Sequence, residues 1–321
     1  MTVPTPYRVR FAVPKGSLQR DTVEFLARAG YRLRGEERSY KPSVSDPCLQ
    51  VKILRPQEIP LLVADGSYDI GITGLDWVLE TGADVEVLAR LGYGRVRLVL
   101  AAPESAPGSS GDELLRSFLE ERGVFRVYTE YLNTTCRYLE SLPSYRELVG
   151  EPPTVVTPWY VKRGSGKVRV YLSFGATEAK PPEDADAIVD NTATGITLEQ
   201  NGLRVFDTIL ESEAVLVANP SSLGGPAREK ILDVAAMLRG VVAARERLHI
   251  FVNVEESSLQ RLLEILPALK GPTVSRLSVE GWYSVNTVVK KEDFLRILPE
   301  LRRLAQGLVV YEPRQVLLLG D

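Results

Sequence analysis

The chain has 321 residues, 44% of them hydrophobic, enough to fill more than one core, so two or three domains are expected. Charged residues make up 25%, with mixed signs and a formal net charge of -3, and the clustered basic excess of a nucleic-acid-binding protein is missing. Two cysteines outside any CxxC pair, one histidine and no apolar run of bilayer length argue against a disulfide scaffold, a structural zinc site and a membrane span.

The segment from Met1 to Pro6 runs straight into a strand pattern without a basic and then apolar leader, which sets a cytoplasmic location as the expectation. Val9, Phe11 and Val13 alternate as on a strand. Leu18, Thr22, Phe25, Leu26 and Ala29 then mark one helix face, closed by Gly30. Further strands are predicted at Tyr68–Thr73, Arg95–Ala102, Val124–Thr129, Val168–Leu172, Asp186–Asp190 and Glu213–Asn219. Strands separated by helices favour α/β layers with largely parallel sheets.

The Pro-, Ser- and Gly-rich stretch from Ala102 to Gly111 reads as a connection between two lobes, and the irregular stretch from Leu142 to Gly166 as a long hairpin or insertion. After Pro226, Ile231, Val234, Ala235, Leu238, Val241 and Val242 outline a long helix. The tail then reads strand (Leu248–Val254), helix (Leu259 to Leu266), strands at Thr273–Leu277 and Trp282–Val289, helix (Phe294 to Leu301) and strand (Leu308–Tyr311). That is the βαββαβ order of a ferredoxin-like domain. The single histidine, His249, sits inside the first of these strands, where a structural role is expected and a His-based catalytic unit is not.

The sharpest chemical signal runs from Ala185 to Leu198. A hydrophobic strand ends in Asp190, and Asn191, Thr192, Ala193, Thr194, Gly195, Ile196 and Thr197 turn into a helix. Exposed N–H groups at a helix start attract phosphate, Gly195 lets the backbone approach closely, and Thr194 and Thr197 add hydroxyl donors. Asp190 is placed to accept hydrogen bonds from ribose hydroxyls. An ordinary strand-to-helix turn with a threonine cap carries the same residue types. Lys15-Gly16 at a strand end is a second anion-site candidate. The turn from Asp69 to Gly74 is a third, with Asp76 as a helix cap and Asp69 read as α/β packing.

These segments come in an order that resembles the ATP phosphoribosyltransferases from end to end. The resemblance is carried by Val13 to Leu18, Leu54 to Pro60, Asp69 to Gly74, Leu91 to Leu98, Thr129 to Asn133, Gly175 to Glu178, the loop with Asn201 to Leu203, Leu238 to Gly240, Leu269 to Ser275 and Gly281-Trp282. The family usually has other residues at Ala193, Ala176, Val96, Leu132 and Cys136. The tail is similar to that of the long form.

The resemblance implies two periplasmic-binding-protein-like α/β lobes forming a cleft, plus a C-terminal ferredoxin-like regulatory domain. The expected division is 1–100 with 205–238, 101–204, and 239–321. It also implies transfer of phosphoribosyl from phosphoribosyl pyrophosphate (PRPP) to N1 of ATP, with Mg2+ carried mainly by substrate. In that reading Asp190 to Thr197 hold PRPP and Glu178 lies near ribose and metal. Lys15, Gly16, Arg55, Gly74 and Arg97 face ATP or pyrophosphate. Asn253 and Thr273 serve inhibition by histidine, with AMP as a further ligand, in a homo-oligomer built of dimers and hexamers. A purine-type phosphoribosyltransferase or a two-lobed cytoplasmic sensor would share the loop or the lobes only.

Overall fold

The structure, a computed structural model, describes residues 8–36, 39–267 and 271–317; the expected strand lead-in from Met1 to Pro6 and Leu269 of the tail match lie outside them. In the first lobe, Val9–Pro14 pairs in parallel with Leu49–Leu54 and Ile70–Gly74. Ala214–Ala218 runs antiparallel between Ile70–Gly74 and Glu86–Arg90, completing five strands. Both faces of this sheet are covered. Phe25 and Leu26 of the helix Gln19–Arg28, with Ile231, Val234 and Leu238 of the helix Arg228–Arg245, pack on one side. Ile59 and Val63 of the helix Ile59–Ala64 pack on the other, against Ala12, Val215 and Val217. A strand covered twice has no solvent face, which is why Ala214–Ala218 reads as an unbroken apolar run.

The second lobe is a seven-stranded sheet in the order Val161–Lys162, Pro153–Val156, Ser165–Leu172, Phe125–Thr129, Ala187–Thr192, Val96–Pro103, Leu203–Ser212. Its core gathers Leu98, Leu100, Leu114, Phe118, Phe125, Val127 and Leu139. Neither sheet is wholly parallel. Val96–Pro103 runs antiparallel to both of its neighbours, because the chain enters and leaves this lobe through that strand and Leu203–Ser212.

Those pairings correct the expected boundaries. Val96–Pro103 and Leu203–Ser212 lie wholly in the second sheet, so the chain passes between lobes at 91–95 and at Glu213, not at 100 and 205. The stretch from Ala102 to Gly111 joins a strand to the helix Gly111–Arg122 inside one lobe. The helix Arg228–Arg245 continues past 239, with Val241 still in the first lobe's core, so the tail domain starts near 246. The stretch from Leu142 to Gly166 is not irregular throughout: it forms the helix Pro143–Leu148 and a hairpin at the sheet edge.

The tail has the expected βαββαβ order. Its sheet runs Thr273–Arg276, Trp282–Lys290, Arg247–Glu255, Ala305–Tyr311, with every pairing antiparallel. Leu262 of the helix Glu256–Ile265 and Leu301 of the helix Lys291–Leu304 cover the face formed by Leu248, Ile250, Val252 and Val254. After the last strand the chain returns to the first lobe. There Arg314 donates to the carbonyls of Ala27 and Arg28, and Val316 N–H to the carbonyl of Gly240.

Candidate active site

The strand Ala187–Thr192 reaches two residues beyond the predicted end, so Asn191 and Thr192 are still extended when the loop begins. Gly195 has φ 87 and caps the short helix Ile196–Gln200. Its N–H donates to Thr192 Oγ1 at 2.8 Å, which shapes the turn without any ligand. Asn191, Ala193, Thr194, Ile196 and Thr197 are exposed around it.

Asp190 lies at the root of this loop. Its Oδ1 accepts the N–H of Asn191 at 2.7 Å. Burial, followed by the nearby Glu130 and Glu178 carboxylates, pushes its pKa up to about 6, against the opposing hydrogen bonds from Asn191 and Thr177. Glu178 sits in the turn Thr177–Ala179, entered through Ala176 at φ 50, the one non-glycine among the described residues with positive φ. The structure thus brings Asp190, Glu178 and the loop together. Among the described residues no group of three metal-ligating side chains is assembled.

The cationic candidates fall in two cavities. One, of about 440 Å³, is lined by Arg97 and Ala193 with Arg90, Arg95, Glu211 and Glu213. The other, of about 560 Å³, gathers Lys15, Gly16 and Arg55 with Tyr40, Lys52 and Gln57. Lys15 Nζ donates to Tyr40 OH at 2.9 Å and lies 4.6 Å from the ring centre. That hydrogen bond and charge hold the Tyr40 hydroxyl below its ordinary pKa. Sequence reasoning missed Tyr40, Lys52, Arg90 and Arg95. Arg95 alone had a signal, since it stands two residues before Arg97 in the same matched segment.

Gly74 lines neither of these cavities. A Cβ there would meet Asp76 Oδ1 at 2.1 Å, so this glycine makes room for a carboxylate folded back on the turn. Asp76 is not the helix cap that the turn suggested; Gly74 holds the N-cap position of the helix Leu75–Thr81. The Asp76 carboxylate is instead buried, accepting Ser212 Oγ–H at 2.6 Å and Tyr131 O–H at 2.7 Å. Glu80, from the same helix, accepts the N–H groups of Asn133 and Thr134 at 2.8 Å each and so caps the second lobe's helix Leu132–Ser141 from across the cleft. Asp69 is buried in an ion pair with Arg10 at 2.9 Å, the packing role read for it.

In the tail domain, His249, Phe251 and Asn253 point to the sheet face opposite the helices. The pairings Phe251–Asn286–Thr273 and Asn253–Ser284–Ser275 place Thr273 on that same face. His249 packs against Phe251 with ring centres 4.5 Å apart and planes tilted by 40°, and faces Asn286 Oδ1 at 3.3 Å, which fits its structural reading.

Comparison with known proteins identifies the family. Residues 55–240 match the family model for ATP phosphoribosyltransferase, and residues 244–314 match the C-terminal domain model of the same family. ATP phosphoribosyltransferases of Chlorobium phaeovibrioides and Koribacter versatilis are 37% and 36% identical to the chain. The first match covers 95% of this chain and 96% of the relative, the second 97% and 100%. A solved ATP phosphoribosyl transferase (HisG:HisZ) complex from Thermotoga maritima is 25% identical over 73% of this chain and 98% of its own, with a TM-score of 0.56. The two lobes, the loop and the appended βαββαβ domain are therefore those of one family, and the chain belongs to the ATP phosphoribosyltransferases, in the long form that carries its own C-terminal domain.

Proposed function

We propose that the loop Asp190 to Thr197 holds the 5-phosphate and ribose of PRPP, and that Lys15 with Arg55, and Arg97 from the other cavity, receive the phosphates of ATP and the leaving pyrophosphate. The family's reaction joins N1 of ATP to C1 of PRPP and expels pyrophosphate. N1 has a free lone pair, so no strong general base is needed, in keeping with a chain whose one histidine is packed in the tail sheet. The barrier lies in aligning two anionic substrates and stabilising an oxocarbenium-like centre, which positioned donors and carboxylates supply. Asp190 and Glu178 lie where they would face the ribose ring. Mg2+ would neutralise pyrophosphate oxygens when bound, held by the substrate with Glu178 as the protein's contribution.

The observation that carries this reading is the preformed turn at Gly195 beside a half-buried Asp190. Replacing Thr194 and Thr197 together by Val removes two hydroxyl donors to a charged phosphate, each worth about 1.5–3 kcal/mol. Apparent PRPP affinity should fall by about a hundredfold or more while ATP affinity holds. Unchanged PRPP affinity would remove the loop from the site. For the tail, the helix-free face bearing Asn253 and Thr273 supports the binding of histidine as inhibitor, with AMP as a second regulatory ligand. The assembly proposed is of dimers that form hexamers in the cytoplasm.

A further inference from the structure

A continuous hydrogen-bonded chain crosses the cleft. Asn191 Nδ2 donates to Tyr131 OH at 2.7 Å, and Tyr131 O–H donates to Asp76 Oδ2 at 2.7 Å. Ser212 Oγ–H donates to Asp76 Oδ1 at 2.6 Å, and the Asp76 N–H donates back to Ser212 Oγ at 2.9 Å. Asp76 belongs to the first lobe; Tyr131, Asn191 and Ser212 belong to the second.

The donor directions follow from chemistry. A carboxylate only accepts, so the single Tyr131 proton goes to Asp76 and its oxygen lone pair is left for Asn191. An amide facing that lone pair must present its NH2 side. Burial first, then the Asp76 charge, raises the Tyr131 hydroxyl far above its usual range, so the donor keeps its proton at any working pH. The ring has no alternative position: Tyr131 is fully buried and stacks on Trp77 with centroids 4.4 Å apart and planes 22° from parallel.

We infer that Tyr131 and Asp76 are positioning residues for PRPP. By holding Asn191 Nδ2 they orient its amide so that Oδ1 is the atom offered to a ribose hydroxyl, and they do so only while the two lobes are docked. Asn191 is the exposed end of the chain and stands one residue beyond Asp190 on the same strand. This inference rests on the loop being the PRPP site.

Tyr131→Phe keeps the stacked ring and deletes only the hydroxyl. Its apparent KM for PRPP should rise about tenfold, with KM for ATP within twofold of wild type. Asn191→Ala, at an exposed position where misfolding is not an issue, should show the same split. The double variant should be no worse than the worse single one, because both remove one contact. A PRPP KM within twofold of wild type in Asn191→Ala or in folded Tyr131→Phe overturns the inference. So does an equal rise for both substrates, or a double variant losing the product of the single effects. If the Thr194→Val, Thr197→Val protein binds PRPP normally, the loop reading fails and this inference falls with it. If that protein is impaired and Tyr131→Phe is not, only the positioning role is lost.

Discussion

A carboxyl group that loses water on folding holds its proton more tightly, and Asp190 shows the consequence for pH. Its pKa rises from 3.8 to about 6. Between those values the folded chain binds a proton that the unfolded chain has released, so this group's contribution to stability is full below about pH 4 and is lost as pH rises through 6. Asp190→Asn should therefore raise stability at pH 8 by about 3 kcal/mol and leave it nearly unchanged at pH 4, as read from denaturant midpoints at the two pH values. The same variant should bind PRPP poorly. In wild type, kcat/KM for PRPP should fall as pH drops below about 6, and a flat profile from 7 to 5 would mean that ionised Asp190 is not needed. Asp190 and its loop were legible in the sequence because a strand-end acid followed by a Thr-Gly turn is a local pattern. Tyr40 and Asp76 were not. Their roles depend on Lys15, Tyr131 and Ser212, partners distant in the chain, and no spacing rule reports such meetings.

Among elements, the strand Ile70–Gly74 shows how a glycine can serve packing. Gly71 lies where a Cβ would come within 2.5 Å of Ile59 and 3.1 Å of Val63, so the helix Ile59–Ala64 sits against bare backbone. Gly71→Ala should cost about 1–3 kcal/mol through overpacking, lowering the urea midpoint while KM values in the remaining folded protein stay put. Full stability in that variant would show that the helix shifts freely. Strands with strong alternation or a closing glycine were readable in advance. Leu49–Leu54, Glu86–Arg90 and Leu203–Ser212 were not assigned. Gln50, Lys52, Glu86, Arg90, Arg204 and Asp207 dilute their apolar signal, and their identity as strands is settled by pairing with neighbours remote in sequence. The Gly111–Arg122 helix also escaped, although Ser110 caps it through the Glu113 N–H.

For the whole molecule, the ferredoxin-like tail was the most legible part, because its elements are consecutive and its strands pair only with one another. The lobe boundaries were harder, since the chain leaves the first lobe and returns, and nothing in composition marks the passages at 91–95 and Glu213. Those passages are tied together. Glu213 accepts the N–H of Gly92 at 2.9 Å, and Arg245, at the end of the helix leading to the tail, donates to the carbonyls of Leu91 and Gly92. A ligand on the tail would act on the cleft through such contacts, with a coupling of about 1–3 kcal/mol. Titrating histidine against wild type and Thr273→Ala, while following phosphoribosyl-ATP formation, should show a variant that is fully active but needs roughly tenfold more histidine. Wild-type enzyme indifferent to millimolar histidine would end the regulatory reading and leave catalysis untouched.

The strand Ala214–Ala218 also has a consequence for the order in which the chain can fold as it is made. The second lobe is one continuous stretch, from Val96 to Ser212, and can close as soon as it leaves the ribosome. The first lobe is begun earlier but finished later: until residue 218 emerges, Ile70–Gly74 has an open edge and Glu86–Arg90 has no partner. An apolar sheet edge therefore waits, unpaired, through the synthesis of more than a hundred residues, the period in which a neighbouring nascent chain could add a strand to it. The lobe that starts the protein is completed by its later third, and the growing chain is most vulnerable to misassembly just before residues 214–218 insert.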